Sequence, residues 1–114
     1  MVTTPITWKV RKRGRTRLSV AEAAVVQLSV VGAAIVAPDR WEAPVGTRVE
    51  VFWEGYAAWV VVRREAPYQD TENFRIYGVE YCDARSELGP AIYDRLVVEA
   101  QAAPIGPALW LPPE

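Results

Sequence analysis

The chain has 114 residues, of which 51% are hydrophobic, 24% charged and 11% aromatic, with a net charge of -1. This composition is typical of one globular domain and too apolar for a disordered segment. Histidine is absent and Cys82 is the only cysteine, which excludes Ser-His-Asp and Cys-His catalysis, histidine-rich metal sites and an internal disulfide.

The first predicted strand covers residues 6–11, where Ile6, Trp8 and Val10 alternate with polar side chains. Gly14 predicts a turn after it. The first 20 residues contain six basic and no acidic side chains, whereas the rest of the chain contains 7 basic and 14 acidic ones. This basic run predicts an anionic partner, namely a nucleotide, a nucleic acid or a membrane surface, and a solvated loop is the alternative.

Residues 23–37 form a long apolar run that, after basic residues, is similar to a signal peptide or a membrane span. The run is shorter than the roughly 20 residues that a spanning helix needs, and Gln27 interrupts it. Its valine and isoleucine content favours strands, and Gly32 predicts a bend between them. We therefore predict two buried strands, around residues 22–29 and 32–37, and no membrane span.

A hairpin and one more strand are predicted in the middle of the chain, after a loop at residues 38–44. The hairpin consists of a strand at residues 48–53, a tight connection, and a return strand at residues 57–64. The additional strand covers residues 74–81. The side chains expected on one face of the first hairpin strand are Val49, Val51 and Trp53.

The last predicted element is a helix near residues 86–101, for which Ser86 is a suitable N-cap. Pro90 falls in or just after the first turn, where its missing N–H costs little. Apolar residues that recur every fourth position would dock the helix on the sheet. They are Leu88, Ile92 and Leu96.

These elements predict a mainly β protein with five or six antiparallel strands and one C-terminal helix. In so short a chain they imply a small β-barrel with the helix over one opening. The predicted domain covers residues 5–101, and residues 102–114 form a Pro-rich tail that is excluded from regular helix. The apolar tail residues expected to cover a sheet edge or meet a partner are Leu109, Trp110 and Leu111.

Four segments occur in an order and spacing that point to one known family. Residues 27–33 (QLSVVGA) are similar to a D/N-x-S-x-x-G motif, and residues 45–47 (VGT) open a strand and hairpin. Residues 77–81 (YGVEY) form a Gly-centred strand, and the predicted helix follows it. Together they resemble the PilZ domain family, whose members bind the bacterial second messenger cyclic di-GMP.

The resemblance implies a six-stranded antiparallel β-barrel with a helix, and a ligand held by an R-x-x-x-R string and the D/N-x-S-x-x-G string. Guanidinium groups pair with phosphates and stack on guanines, and a glycine lets the backbone approach a guanine edge. Gln27 departs from the second string, because glutamine replaces aspartate or asparagine. The implied ligand-binding residues are Arg11, Arg13, Arg15, Arg17, Gln27, Ser29 and Gly32.

The position of the arginines is a second departure. In the family the R-x-x-x-R string precedes the first barrel strand, whereas here a predicted strand comes before Arg11. The alternative is that the basic run forms the turn of the first hairpin, away from Ser29. Ser29 likewise has a local alternative, a hydrogen bond to the neighbouring backbone.

The leading hypothesis is a cytoplasmic bacterial signalling domain that binds cyclic di-GMP and passes ligand occupancy to a protein partner. The alternative is a degenerate PilZ-type domain that acts as a protein-interaction module without nucleotide binding. A nucleic-acid-binding barrel ranks third, because the body is acidic and the basic run lacks aromatic residues. We expect no enzymatic activity, metal or cofactor.

Several aromatic residues are assigned by the same reasoning. Trp8 and Trp53 are predicted core residues because they lie on the apolar faces of alternating strands. Trp41 and Tyr56 are predicted to be exposed and available to a partner. Cys82, at a strand end, is predicted to be a partly buried small hydrophobic residue.

Overall fold

The computed structural model describes residues 3–69, 73–83 and 87–102, with side chains as far as residue 95. Its strands are β1 (Thr4–Lys12), β2 (Leu18–Leu28), β3 (Gly32–Pro38), β4 (Trp41–Glu42), β5 (Arg48–Trp53), β6 (Tyr56–Pro67) and β7 (Phe74–Tyr81), and its helix is α1 (Leu88–Ala102).

Six strands form a closed antiparallel barrel in the order β1-β2-β3-β7-β6-β5, with β5 returning to β1. The predicted six-stranded antiparallel β-barrel with one helix is therefore confirmed. The closing pairing is short, since only Thr7 and Trp8 of β1 face β5. Strand β4 lies outside this circuit and pairs with the end of β1.

The apolar run at residues 23–37 forms β2 and β3, as predicted, and not a helix. No helix in the described part of the chain has the length and hydrophobicity needed to cross a bilayer. The prediction of a loop throughout residues 38–44 is wrong at β4, where Glu42 and Trp41 pair with the end of β1. A two-residue strand has no periodicity, so the sequence pattern carries no signal for it.

The predicted hairpin at residues 48–64 is formed by β5 and β6, which pair from Arg48 with Val61 to Trp53 with Tyr56. Glu54 and Gly55 form its two-residue turn with φ angles of 43° and 87°. Positive φ at both positions is the hairpin geometry that matches the twist of the flanking strands. The connection is therefore as tight as the sequence predicts.

Alternating side chains of the strands fill the barrel. Trp8, Val62 and Tyr77 are fully buried, and the Trp8 and Tyr77 rings meet edge to face with centroids 5.2 Å apart. Aromatic pairs favour this geometry because a positive ring edge faces a negative ring surface. Trp53 is buried as well, so the predicted core positions of Trp8 and Trp53 are confirmed.

Helix α1 covers one opening of the barrel. Leu88 and Ile92 are buried in the core cluster, which confirms that this side of the helix docks on the sheet. Pro90 lies in the first turn, as predicted. Ser86, the Leu96 side chain and residues 103–114 with their apolar positions lie outside the described residues.

Two predictions of exposure are wrong. Cys82 is exposed, because β7 ends at Tyr81 and the chain leaves the sheet at the next residue. Trp41 is half-buried, because β4 brings it against the core. Tyr56 is exposed, as predicted.

Replacing Trp8 by alanine removes the largest fully buried side chain and leaves a cavity between β1 and β7. We expect Trp8→Ala to lower the free energy of unfolding by about 3–5 kcal/mol. Trp59, which is 49% exposed, provides the matched control, and Trp59→Ala should cost less than about 1 kcal/mol. Urea denaturation measures both values, and equal losses would contradict the assigned packing.

Candidate functional site

The turn between β2 and β3 is closed by Ser29. The Ser29 backbone N–H donates to the Gly32 carbonyl oxygen at 3.0 Å. Its hydroxyl oxygen accepts from the N–H groups of Val31 and Gly32 at 3.3 Å and 3.2 Å. Ser29 therefore forms the hydrogen bonds to neighbouring backbone groups that the sequence analysis gave as its alternative role, and these bonds shape the turn.

Gly32 has a packing role at the start of β3. A Cβ atom at this position would collide with the carbonyl oxygen of Val79 on β7. A glycine is therefore needed so that the two backbones can approach closely. This requirement exists without any ligand, and it fixes the turn against the neighbouring strand.

Two β-bulges set which side chains face outward beside this turn. In β2 the register shifts between Val25 and Gln27, and in β6 it shifts between Val62 and Arg64. A bulge places two residues opposite one partner residue. The β6 bulge thereby brings Arg63 and Arg64, which are adjacent in sequence, to the outer surface, where both are exposed.

A row of paired residues crosses four strands on this outer surface. Gln27 faces Ala34, Ala34 faces Gly78, and Gly78 faces Arg64. Residues paired across strands project on the same side of the sheet, and neighbouring strands lie about 4.8 Å apart. Alanine and glycine therefore form a low floor, and the strands that carry the Gln27 amide and the Arg64 guanidinium on its two sides lie about 14 Å apart.

This floor belongs to a cleft of about 320 Å³. The lining residues that could bind a ligand are Gln27, Ser29, Gly32, Arg63, Arg64 and Gly78. The cleft therefore combines three residues singled out in the sequence with two arginines that were not. Two guanidinium groups beside a flat floor can bind an anion and stack on a planar ring.

The two arginines of the cleft differ in their partners. The Nε atom of Arg63 lies 2.8 Å from a carboxylate oxygen of Glu80, in an exposed ion pair. Arg64 has no ion pair within the described ranges, and its Nε would lie 3.4 Å from a Cβ atom at position 78. The absence of a side chain at Gly78 thus leaves room for the Arg64 guanidinium on the floor.

The arginines of the basic run lie at the β1–β2 hairpin. Arg11 pairs with Leu18, and the turn follows at Arg13 and Gly14. The basic run therefore forms the turn of the first hairpin, which is the alternative that the sequence analysis gave for it. Arg15 and Arg17 are exposed in the connection to β2.

Arg11 and Arg13 form ion pairs with acidic residues outside the hairpin. The Nε atom of Arg11 lies 3.4 Å from Glu42, and the Arg13 guanidinium lies 3.2 Å from Asp39 and 3.5 Å from Glu42. Arg13 also donates to the Asp39 carbonyl oxygen at 3.1 Å. These contacts attach the hairpin to the connection before β4.

The structure does not bring the four arginines to the Ser29 turn. Leu18 and Leu28 mark the two ends of β2, and at the usual rise per residue they are about 30 Å apart. One dinucleotide therefore cannot contact both groups within one chain. The fold brings Gln27, Ser29 and Gly32 together with Arg63 and Arg64 instead.

Sequence reasoning missed Arg63 and Arg64. The signal available was a break in alternation, because two arginines follow the regular pattern of Ala58, Val60 and Val62. In a regular strand with one face against the core, consecutive side chains point to opposite faces, so two adjacent arginines in the middle of such a strand indicate a bulge.

A second, more apolar cleft adjoins the first. It has a volume of about 580 Å³ and lies between the β2–β3 turn and α1, with Val30, Tyr81 and Tyr93 on its walls. Burial raises the pKa of the Tyr81 phenol. The pKa of Tyr77 in the core is also raised, first by burial and then by the Glu65 carboxylate. Both phenols therefore remain protonated at neutral pH.

Comparison with protein-family models, curated protein sequences and solved structures finds no match to this chain.

Removal of the Ser29 hydroxyl tests its contribution to the turn. Ser29→Ala loses the acceptor of two backbone N–H groups, and we expect it to lower the free energy of unfolding by about 1 kcal/mol. Ser19→Ala is the matched control, because Ser19 is exposed on β2 and should cost less than about 0.5 kcal/mol. Chemical denaturation compares the two, and a loss at Ser29 no larger than at Ser19 would contradict the structural role.

Proposed function

We propose that this chain is a PilZ-like signalling domain that binds cyclic di-GMP in the cleft beside the β2–β3 turn. The observation that carries the proposal is that Gln27, Ser29 and Gly32 lie in one cleft with Arg63 and Arg64. In this proposal Arg63 and Arg64 take the part that the sequence resemblance gives to the R-x-x-x-R string.

The chemistry of the cleft supports a planar anionic ligand. Ala34 and Gly78 form a low floor, and the Arg64 guanidinium lies over Gly78, so a purine ring can enter the cleft beside or above that guanidinium. Arg64 is positioned to stack on such a ring or to pair with a phosphate. Gln27 is exposed on the opposite side, where its amide can donate and accept hydrogen bonds at a base edge.

The proposal assigns different tasks to the two cations. Arg64 has no ion pair to break among the described residues, whereas Arg63 must give up its ion pair with Glu80 before it can bind a phosphate. An exposed ion pair contributes about 0–1 kcal/mol, so this exchange costs little. Arg64 should therefore carry the larger part of the binding free energy.

Signal transmission follows from the position of the cleft. Val30 and Val31, at the tip of the same turn, are 93% and 61% exposed. A ligand that orders the turn would change this apolar surface, and a protein partner that recognises one arrangement could thereby detect ligand occupancy.

The second candidate function is a PilZ-type protein-interaction module without nucleotide binding. It is favoured by the Ser29 hydroxyl, which is already used within the turn, and by the Arg63–Glu80 ion pair. The exposed Val30 and Val31 would then form part of a permanent interaction surface.

Calorimetric titration with cyclic di-GMP separates the two functions. We expect the wild type to bind, and Arg64→Ala to weaken binding by about 1.5–3 kcal/mol, the usual value of a hydrogen bond to a charged group. Gln27→Asp should strengthen binding, because a carboxylate offers two acceptors to a guanine edge. Arg15→Ala is the matched control and should bind as the wild type does, because its hairpin lies at the far end of β2.

Two outcomes would overturn the proposal. Absence of heat from the wild type at high ligand concentration would leave the interaction module as the function. An equal loss in Arg15→Ala and Arg64→Ala would show that the cleft is not the binding site.

A further inference from the structure

The β1–β2 hairpin carries exposed aliphatic side chains that the proposed function does not use. Leu18 and Val20 are 58% and 60% exposed. Leu18 pairs with Arg11, and Val20 pairs with Lys9. Paired residues project on the same side of a sheet, so these four side chains share one face of the hairpin.

That face is the outer one. Trp8 and Ala21 are paired and buried, and Ile6 and Val10 are buried as well, so these side chains point into the barrel. The pairs Lys9–Val20 and Arg11–Leu18 alternate with these positions along the two strands. Leu18 and Val20 therefore point away from the barrel interior. Residues 12–20 are all exposed, so the end of the hairpin is accessible along its whole length.

The hairpin also has an excess of positive charge. Of its six cations only Arg11 and Arg13 take part in ion pairs within the described residues, with Glu42 and Asp39. The other four are exposed and have no acidic partner there. These four are Lys9, Lys12, Arg15 and Arg17. Lys9 shares the outer face with Leu18 and Val20, and the other three cations lie at the exposed end of the hairpin. We call these six residues the hairpin surface.

We propose that the hairpin surface docks on the face of an anionic lipid bilayer. Cations beside exposed aliphatic side chains match a membrane interface, where anionic headgroups lie directly above hydrocarbon. The hairpin surface has no aromatic residue on which a base could stack, which favours lipid over nucleic acid. The match of charge and of apolar contact with the bilayer supports the proposal. The proposal does not depend on the binding of cyclic di-GMP in the cleft.

The roles of the two residue types differ. The four unpaired cations attract the protein to the negative surface, and each is expected to contribute a factor of about five to the partition coefficient at low salt. Leu18 and Val20 enter the headgroup region and bury part of their surface there. Arg11 and Arg13 hold the hairpin in place through their ion pairs with the body.

Vesicle co-sedimentation of the full chain tests this proposal. The probes are phosphatidylcholine vesicles and vesicles with about one third phosphatidylserine, at 25 mM and 500 mM salt. We expect binding to the phosphatidylserine vesicles at 25 mM salt, a loss of at least tenfold at 500 mM salt, and little binding to phosphatidylcholine alone.

A matched pair of variants locates the surface. Arg17→Ser/Val20→Ser removes one exposed arginine and one valine of the hairpin surface and should weaken binding about tenfold. Arg48→Ser/Val45→Ser removes an exposed arginine and a valine of nearly equal exposure, 58%, elsewhere on the barrel and should leave binding unchanged. Circular dichroism confirms that both variants keep the strand content of the wild type.

Three outcomes would overturn the proposal. They are absence of sedimentation with the phosphatidylserine vesicles at 25 mM salt, equal weakening in both variants, and tighter binding of a 20-base DNA strand or duplex than of the vesicles. Tighter binding of DNA would assign the hairpin surface to nucleic acid.

Discussion

Trp8 lies in the centre of the barrel at the point where β1 meets β5. It pairs with Val51 in a junction of only two residue pairs, and its ring contacts Tyr77 on the opposite strand β7. The indole Nε1 is buried with no hydrogen-bond partner among the described residues, which costs about 1–3 kcal/mol. The apolar surface buried by the ring outweighs this cost, so packing rather than hydrogen bonding joins the two sides of the barrel there.

Once the barrel is closed, β2 fixes the distance between the two cationic regions of the molecule. The hairpin with β1 lies at one end of β2, and the turn at Ser29 lies at the other. Pairing with β1 along its first part and with β3 along its last part holds β2 extended, so its ends cannot approach each other. Any ligand at the turn and any surface bound by the hairpin would therefore be separated by the length of β2.

The sequence predicts the barrel because alternation and apolar runs are local properties. Trp8, Trp53 and the β5–β6 hairpin are correctly assigned for that reason, as is the docking of Leu88 and Ile92. Gln27, Ser29 and Gly32 of the cleft are identified from the sequence, but the presence of Arg63 and Arg64 could not be predicted, because two strands and two bulges separate Arg64 from Gln27. Long-range pairing depends on strand order, and no pattern within a single strand contains that order.

The bulge in β6 has a consequence for how the strand can tolerate changes in length. Before the bulge Val62 points inward opposite Val79, and after it Arg64 lies opposite Gly78 on the outer surface. Loss of Arg63 would convert the bulged segment into regular pairing, with Val62 still inside and Arg64 still outside. Deletion of Arg63 therefore disturbs the strand less than an insertion does, because the side chains before and after it keep their orientation. An insertion between Val61 and Val62 would instead turn Val62 away from the core, because it changes the parity of the residues that follow it.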